Sequence, residues 1–155
     1  MQFYQFHTKT NVEKMRNGVP LTDADRWDWL TALREESLRL LNSEAEGVVL
    51  TCSALKRKYR DVIRVAAYYD PSVLIHFIYL DASEEVLTRR VTARQGHYMG
   101  ANMVQSQFSI LEPPSQDEKD IISIDVSRTA DEVKVDALDR VRQVMNNDRN
   151  DENHN

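Results

Sequence analysis

From Ser53 to Asp61 the chain reads Ser-Ala-Leu-Lys-Arg-Lys-Tyr-Arg-Asp, a hydroxyl and a run of cations directly after the apolar stretch Gly47 to Cys52. Lys56 and Arg60 stand one helical turn apart, so on a helix they share a face. With the Ser53 hydroxyl and the unpaired N–H groups of a first helical turn, they could bind an anion. An ordinary solvated basic face fits the same residues. A second cluster runs from Arg89 to Tyr98, where Arg90 and Arg94 share a helix face and Gly96 closes the helix. Arginines at a helix-to-loop junction suit a mobile lid that neutralises a phosphoryl group in transfer, and surface charge is the plain alternative. Arg26 lies beside Asp23 and Asp25, where a local ion pair would account for it. His97 follows Gly96 as a loop residue, His76 alternates with apolar residues and carries no assigned role, and Trp27 and Trp29 read as packing residues.

These side chains need elements to hold them. Asn11 to Arg16 predicts a short helix, stopped by Asn17-Gly18 and Pro20. Thr22 with Asp25 resembles a capping box, and Trp27, Leu30, Leu33, Leu38 and Leu41 then recur at helical spacing to about Asn42. Gly47 to Cys52 is β-branched and nearly all apolar, which suits a strand covered on both faces of a parallel sheet. A basic-ended helix from Lys56 to about Tyr69 follows, then a second strand from Val73 to Leu80. Ser83-Glu84-Glu85 opens a helix through Arg94, and Ala101 to Leu111 forms another, broken by Pro113-Pro114. Ile121 to Asp125 predicts a third strand, and Thr129 starts a last helix to about Met145. Strands alternating with helices imply right-handed parallel crossovers and a three-layer α/β sheet, beyond whose strand ends ligands collect.

With 155 residues, 41% of them hydrophobic, the chain can bury one core, so a single domain is expected over residues 1–145. From Asn146 the sequence is polar, without an apolar anchor, and residues 146–155 are expected to form a disordered tail. The net charge of −5 gives no global attraction to nucleic acid or anionic lipid, so basic clusters read as local sites. No apolar stretch reaches the roughly 20 residues of a membrane span, and the first residues do not resemble a secretion signal, so a cytoplasmic protein is expected. The single cysteine, Cys52, excludes an intrachain disulfide and reads as a buried reduced thiol.

Taken together, several separated segments resemble the gluconokinases, small kinases of the P-loop superfamily. They are Asn11-Val12-Glu13-Lys14-Met15; Gly18 with Pro20-Leu21-Thr22-Asp23, Asp25-Arg26 and Trp29-Leu30; and Cys52 to Lys56 with Tyr59-Arg60-Asp61. The likeness continues through Phe77 to Leu80, Arg90, Arg94, Gly96-His97-Tyr98, Gln105 to Phe108 and Leu111 to Pro114. The resemblance implies the P-loop kinase type of α/β fold and ATP- and Mg2+-dependent phosphorylation of D-gluconate to 6-phosphogluconate, feeding the pentose phosphate pathway. It further implies that Arg26, Ser53, Lys56, Arg60, His97 and Gln107 surround the substrate, that Arg90 and Arg94 lie in the lid over the ATP phosphates, and that a homodimer is compatible with the family. No residue of this chain is thereby made a metal ligand.

The pattern departs from the family at the front. Of the four glycines, Gly18, Gly47, Gly96 and Gly100, none precedes a lysine, so no Gly-Lys-Ser or Gly-Lys-Thr phosphate loop is present, and the acidic residues the family carries shortly before the histidine seen here as His7 are replaced by Gln2, Phe3, Tyr4 and Gln5. The expectation is an N-terminally truncated product, or a chain started at the wrong Met, lacking the first strand and its phosphate loop and therefore poorly stable and inactive alone. Two other readings stay open: a non-catalytic remnant that binds a sugar acid or a protein partner, and a different small-metabolite kinase such as a shikimate kinase-like enzyme.

Overall fold

The computed structural model describes residues 6–43, 45–93 and 101–152. Arg94, Gly96 and His97, expected in a lid and at the substrate, lie outside them. Contacts divide the chain into two compact units, Met1–Ile75 with Leu87–Pro113 and His76–Val86 with Pro114–Asn155.

In the first unit, helix α1 (Lys9–Arg16) starts at Thr8, whose hydroxyl accepts the Asn11 N–H, and its C-terminal turn is followed by Gly18 at φ 69°, a left-handed conformation that glycine takes at little cost. Helix α2 (Asp23–Leu41) carries the expected capping box: the Thr22 hydroxyl accepts the Asp25 N–H, and the Asp25 carboxylate accepts the Thr22 N–H. Buried Asn11 ties the two helices together by donating its side-chain amide to the Asp25 carbonyl, 2.7 Å. Helix α3 (Arg57–Tyr69) packs on α2. Trp29, Leu30, Leu33 and Tyr59 form the core between them, with Phe6, Leu50, Cys52, Leu55, Val62 and Ile63 packed against it. Leu30, Leu33 and Tyr59 are fully buried, so apolar area removed from water is what fixes this helix pair.

Gly47 to Cys52 was expected as a strand but enters no ladder. Its burial still alternates, with Val48, Leu50 and Cys52 turned toward the interior and Val49 and Thr51 exposed. The side-chain period of a strand is therefore present without a ladder partner among the described residues, and pairing is what turns such a segment into sheet.

In the second unit, strand β1 (Phe77–Asp81) pairs in parallel with strand β2 (Ile121–Asp125), Phe77 opposite Ile121 through Asp81 opposite Asp125. The expected start at Val73 is too early. Asp70 and Ser72 make a local turn in which Asp70 accepts the Ser72 N–H at 3.0 Å, and the Val73 N–H closes it on the Asp70 carbonyl. Helix α4 (Glu84–Ala93) begins in this unit at Ser83, whose hydroxyl accepts the Val86 N–H, and continues from Leu87 in the first unit, to which helix α5 (Ala101–Phe108), with buried Met103 and Val104, also belongs. Helix α6 (Ala130–Glu152) packs on β2, whose Ile124 is buried.

Helix α6 also corrects the expected tail, because it runs past Met145 through Glu152. Extending a formed helix fixes one residue per added hydrogen bond, so a polar sequence can follow an anchored one. Asp148 is held in addition by His76, 2.8 Å away. The predicted α/β class with parallel pairing is thus the architecture found, carried among the described residues by two ladder strands where three were expected.

Candidate functional site

The first turn of α3 is electrostatically at odds with its own helix. Lys56 occupies the N-cap without a capping hydrogen bond, Arg57, Lys58 and Arg60 follow, and the first turn holds no acidic residue. Cations at a helix N-terminus oppose the macrodipole, and the leading N–H groups need acceptors. Both deficits are met from far away in sequence. Glu112 accepts the Arg57 N–H through Oε2 at 2.8 Å. Asp23, in the first turn of α2, receives Lys56 Nζ at 3.0 Å, the Lys58 ammonium and the Tyr59 hydroxyl.

Asp23 is therefore held well below the usual carboxylate range, chiefly by the Lys58 hydrogen bond and then by Tyr59 and Lys56. Reciprocally, the Asp23 contact raises the Lys56 ammonium above its ordinary value. Burial pushes the Tyr59 phenol up, aided by Asp23.

Arg26 was open to reading as the partner of Asp23 or Asp25, and it is neither. It is buried, donates through Nη1 to the Leu21 carbonyl at 2.7 Å and the Tyr59 hydroxyl at 3.4 Å, and lies 5.4 Å from the Tyr59 ring centroid. Asp25 pairs instead with Lys14 at 2.7 Å, which with the Thr22 contacts lowers its carboxyl to about 2. Arg26, Tyr59, Asp23, Lys56 and Lys58 form one connected polar group with three cations to one anion. Such a group offers net positive charge, partly sheltered from water, to a small anion.

Arg60 is also buried. Its Nη1 donates to the Ala54 carbonyl at 3.3 Å and the Glu112 carbonyl at 3.1 Å, strapping the segment before α3 to the one after α5. The solvated-face reading therefore fails for Arg60, and Lys56 too is mostly covered. Ser53 is exposed, Gln107 is half-buried on α5 and Arg90 is exposed on α4. Trp29 is core, as expected, whereas Trp27 is on the rim, edge-on to Tyr59 at 6.0 Å and under Lys58 Nζ at 5.8 Å.

Asp23, Tyr59, Glu112 and His7 carry the arrangement although no residue pattern assigned them a role. Two acids in the first turn of α2, of which the capping box needs one, are the available signal for Asp23. Tyr59 shares a face with Lys56 three residues earlier. His7 stacks on Trp29 with ring centroids 4.3 Å apart, and desolvation followed by the Arg26 charge keeps its imidazole below the ordinary value. Cys52 behaves as expected, with burial pushing its thiol up to about 11.

Among the described residues no group of three or more His, Cys, Asp or Glu could hold a metal ion, and no helix is long and apolar enough to cross a membrane. The glycines offer no Gly-Lys sequence for nucleotide phosphates. The polar group at the starts of α2 and α3 is suited by its charge to an anionic acceptor.

The fold is that of an α/β chain with parallel strand pairing and a cationic group gathered at the starts of two helices. No family model matches the chain. A probable gluconokinase of Schizosaccharomyces pombe is 47% identical over 144 residues, covering 92% of this chain and 74% of the relative. A probable gluconokinase of Saccharomyces cerevisiae is 39% identical over 145 residues, covering 91% and 73%. The crystal structure of a gluconokinase from Sinorhizobium meliloti 1021 superposes with a TM-score of 0.79 at 37% identity, covering 95% of this chain and 78% of that one. The chain belongs to the gluconokinase family, a family of phosphotransferases whose activity implies ATP and Mg2+.

Proposed function

We propose that this chain forms the sugar-acid side of a gluconokinase, the enzyme that phosphorylates D-gluconate to 6-phosphogluconate. The observation that supports it is the convergence of Arg26, Lys56 and Lys58 around Tyr59 and Asp23. Gluconate offers one carboxylate and a row of hydroxyls. A cationic group answers the first, while hydroxyl and amide side chains such as Ser53 and Gln107 suit the second.

In this reading Lys56 meets the carboxylate directly. Buried Arg26 sets the potential around it and fixes Tyr59. Arg60 acts through the segments it ties together, holding the backbone before Lys56 in place. Arg90 and Arg94 belong to the nucleotide-facing lid, and His97 to the substrate side. ATP, bound with magnesium, supplies the phosphoryl group in this family, and the sequence contains no Gly-Lys phosphate loop to hold it.

A second reading, a chain that binds the sugar acid without turnover, is favoured by the lack of a Gly-Lys phosphate loop in the sequence. Calorimetric titration with gluconate and with magnesium-ATP, alongside an assay for 6-phosphogluconate, separates the two. Gluconate binding without nucleotide binding or product supports the second reading. Product formation at an ordinary kinase rate of about 1–100 per second would show that this chain completes the reaction itself.

A further inference from the structure

Asp23 has a chemical position that capping of α2 does not explain. Thr22 and Asp25 complete the capping box between themselves, so the first turn of α2 is satisfied without it. All of Asp23's side-chain partners come instead from the start of α3, between 33 and 36 residues further along the chain. Oδ1 takes Lys56 and Tyr59, and Oδ2 takes Lys58. Without a carboxylate between them, the Lys56 and Lys58 ammoniums would repel and turn apart into solvent, because both sit at a helix end that disfavours cations.

We propose that Asp23 is a positioning residue for substrate carboxylate binding: it gathers Lys56 and Lys58 and, through the Tyr59 hydroxyl, Arg26 into one arrangement. The proposal rests on the reading of this group as the sugar-acid site. Tyr59 links the two halves, since its hydroxyl donates to Asp23 while accepting from Arg26. Asp23 is the one carboxylate hydrogen-bonded to this group, while Glu112 acts on Lys56 only through its charge and is matched by neighbouring Arg57, so the arrangement keeps an excess of positive charge at a fixed place. That is the requirement for binding a second, exchangeable carboxylate. Asp25, two residues on, is the internal control: it has the same chemistry, but its partners are Lys14 and Thr22.

The test compares the chain with Asp23→Asn, Asp23→Glu, Tyr59→Phe and Asp25→Asn. Gluconate affinity is measured by calorimetry, and Lys56 is titrated by NMR after reductive 13C-methylation of the lysines. Asp23→Asn is expected to weaken gluconate binding about ten-fold or more and to move the Lys56 titration down toward its ordinary value, with Asp23→Glu recovering most of both. Tyr59→Phe, which keeps the ring packing and removes the hydroxyl that joins Asp23 to Arg26, is expected to weaken binding by about three-fold. Asp25→Asn is expected to lower the melting temperature and leave gluconate affinity and the Lys56 titration as they are.

Unchanged affinity in Asp23→Asn, or no recovery in a folded Asp23→Glu, overturns the proposal. Should the unmodified chain take no gluconate at all, the sugar-acid reading falls. The Lys56 titration then judges the hold of Asp23 separately, and an unshifted titration in Asp23→Asn refutes that hold.

Discussion

Helices α3 and α6 both begin among charged residues, and the two regions use them in opposite ways. At α6 the charges follow the helix: Asp131 and Glu132 lie in its first turn and Arg149 in its last. Its ion pairs, such as Arg140 with Asp136 and Arg142 with Asp139, are local and largely exposed. At α3 the charges oppose the helix, Arg60 is buried, and the partners Asp23 and Glu112 come from other segments. Local pairs on a wet helix add little beyond solubility. A cation cluster that contradicts its own helix, and is held by distant acids, carries a cost in stability, which is the mark expected of a binding site.

The comparison breaks most severely if the α2–α3 packing is loosened. Leu33→Ala, at a fully buried position in that core, is expected to cost about 2–5 kcal/mol in a urea unfolding series. A smaller loss would mean that the two helix starts are not fixed by this core.

Arg60→Ala comes next, because it leaves the Ala54 and Glu112 carbonyls without their donor. A cost of about 1–3 kcal/mol is expected by the same measurement.

Acid should then act on the first region through His7. Its folded-state pKa is depressed, so between that value and the ordinary 6.5 the unfolded chain binds more protons than the folded one. Stability contributed by the neutral ring is complete above 6.5 and is lost as pH falls through the depressed value. The melting temperature should decline over that window, and His7→Gln should flatten the decline. An identical pH profile for the variant would remove His7 from the account.

The smallest effect is expected at α6. Arg142→Ala should leave the unfolding midpoint unchanged, since its contact with Asp139 is 3.7 Å long and both side chains are more exposed than not. A clear destabilisation there would erase the distinction between the two regions.

How far the sequence carried this picture varies with the distance over which each feature is determined. The Thr22 cap, the Gly18 stop and the α2 periodicity are local, and the structure reproduces them. Lys56 and Arg60 were legible by type and spacing, whereas Arg26 read as a local ion pair and was singled out only by the family resemblance. Their partners were not, because Asp23, Tyr59 and Glu112 meet them only once α2 and α3 have packed. The segment Gly47 to Cys52 shows the same limit from the other side. Its alternation and composition are those of a strand, yet a ladder needs a neighbour that no local pattern supplies. The helical continuation of α6 past Met145 was missed because composition weighs polarity and does not register an anchored helix ahead of it.

The central claim is that the cationic group at the starts of α2 and α3 receives a sugar-acid carboxylate. Calorimetric titration of the chain and of Lys56→Met with D-gluconate, and with the uncharged polyol D-glucitol, tests it most directly. The account predicts saturable binding of gluconate, none of glucitol, and loss of gluconate binding in Lys56→Met. Gluconate binding that survives in Lys56→Met, or equal binding of glucitol, would contradict it.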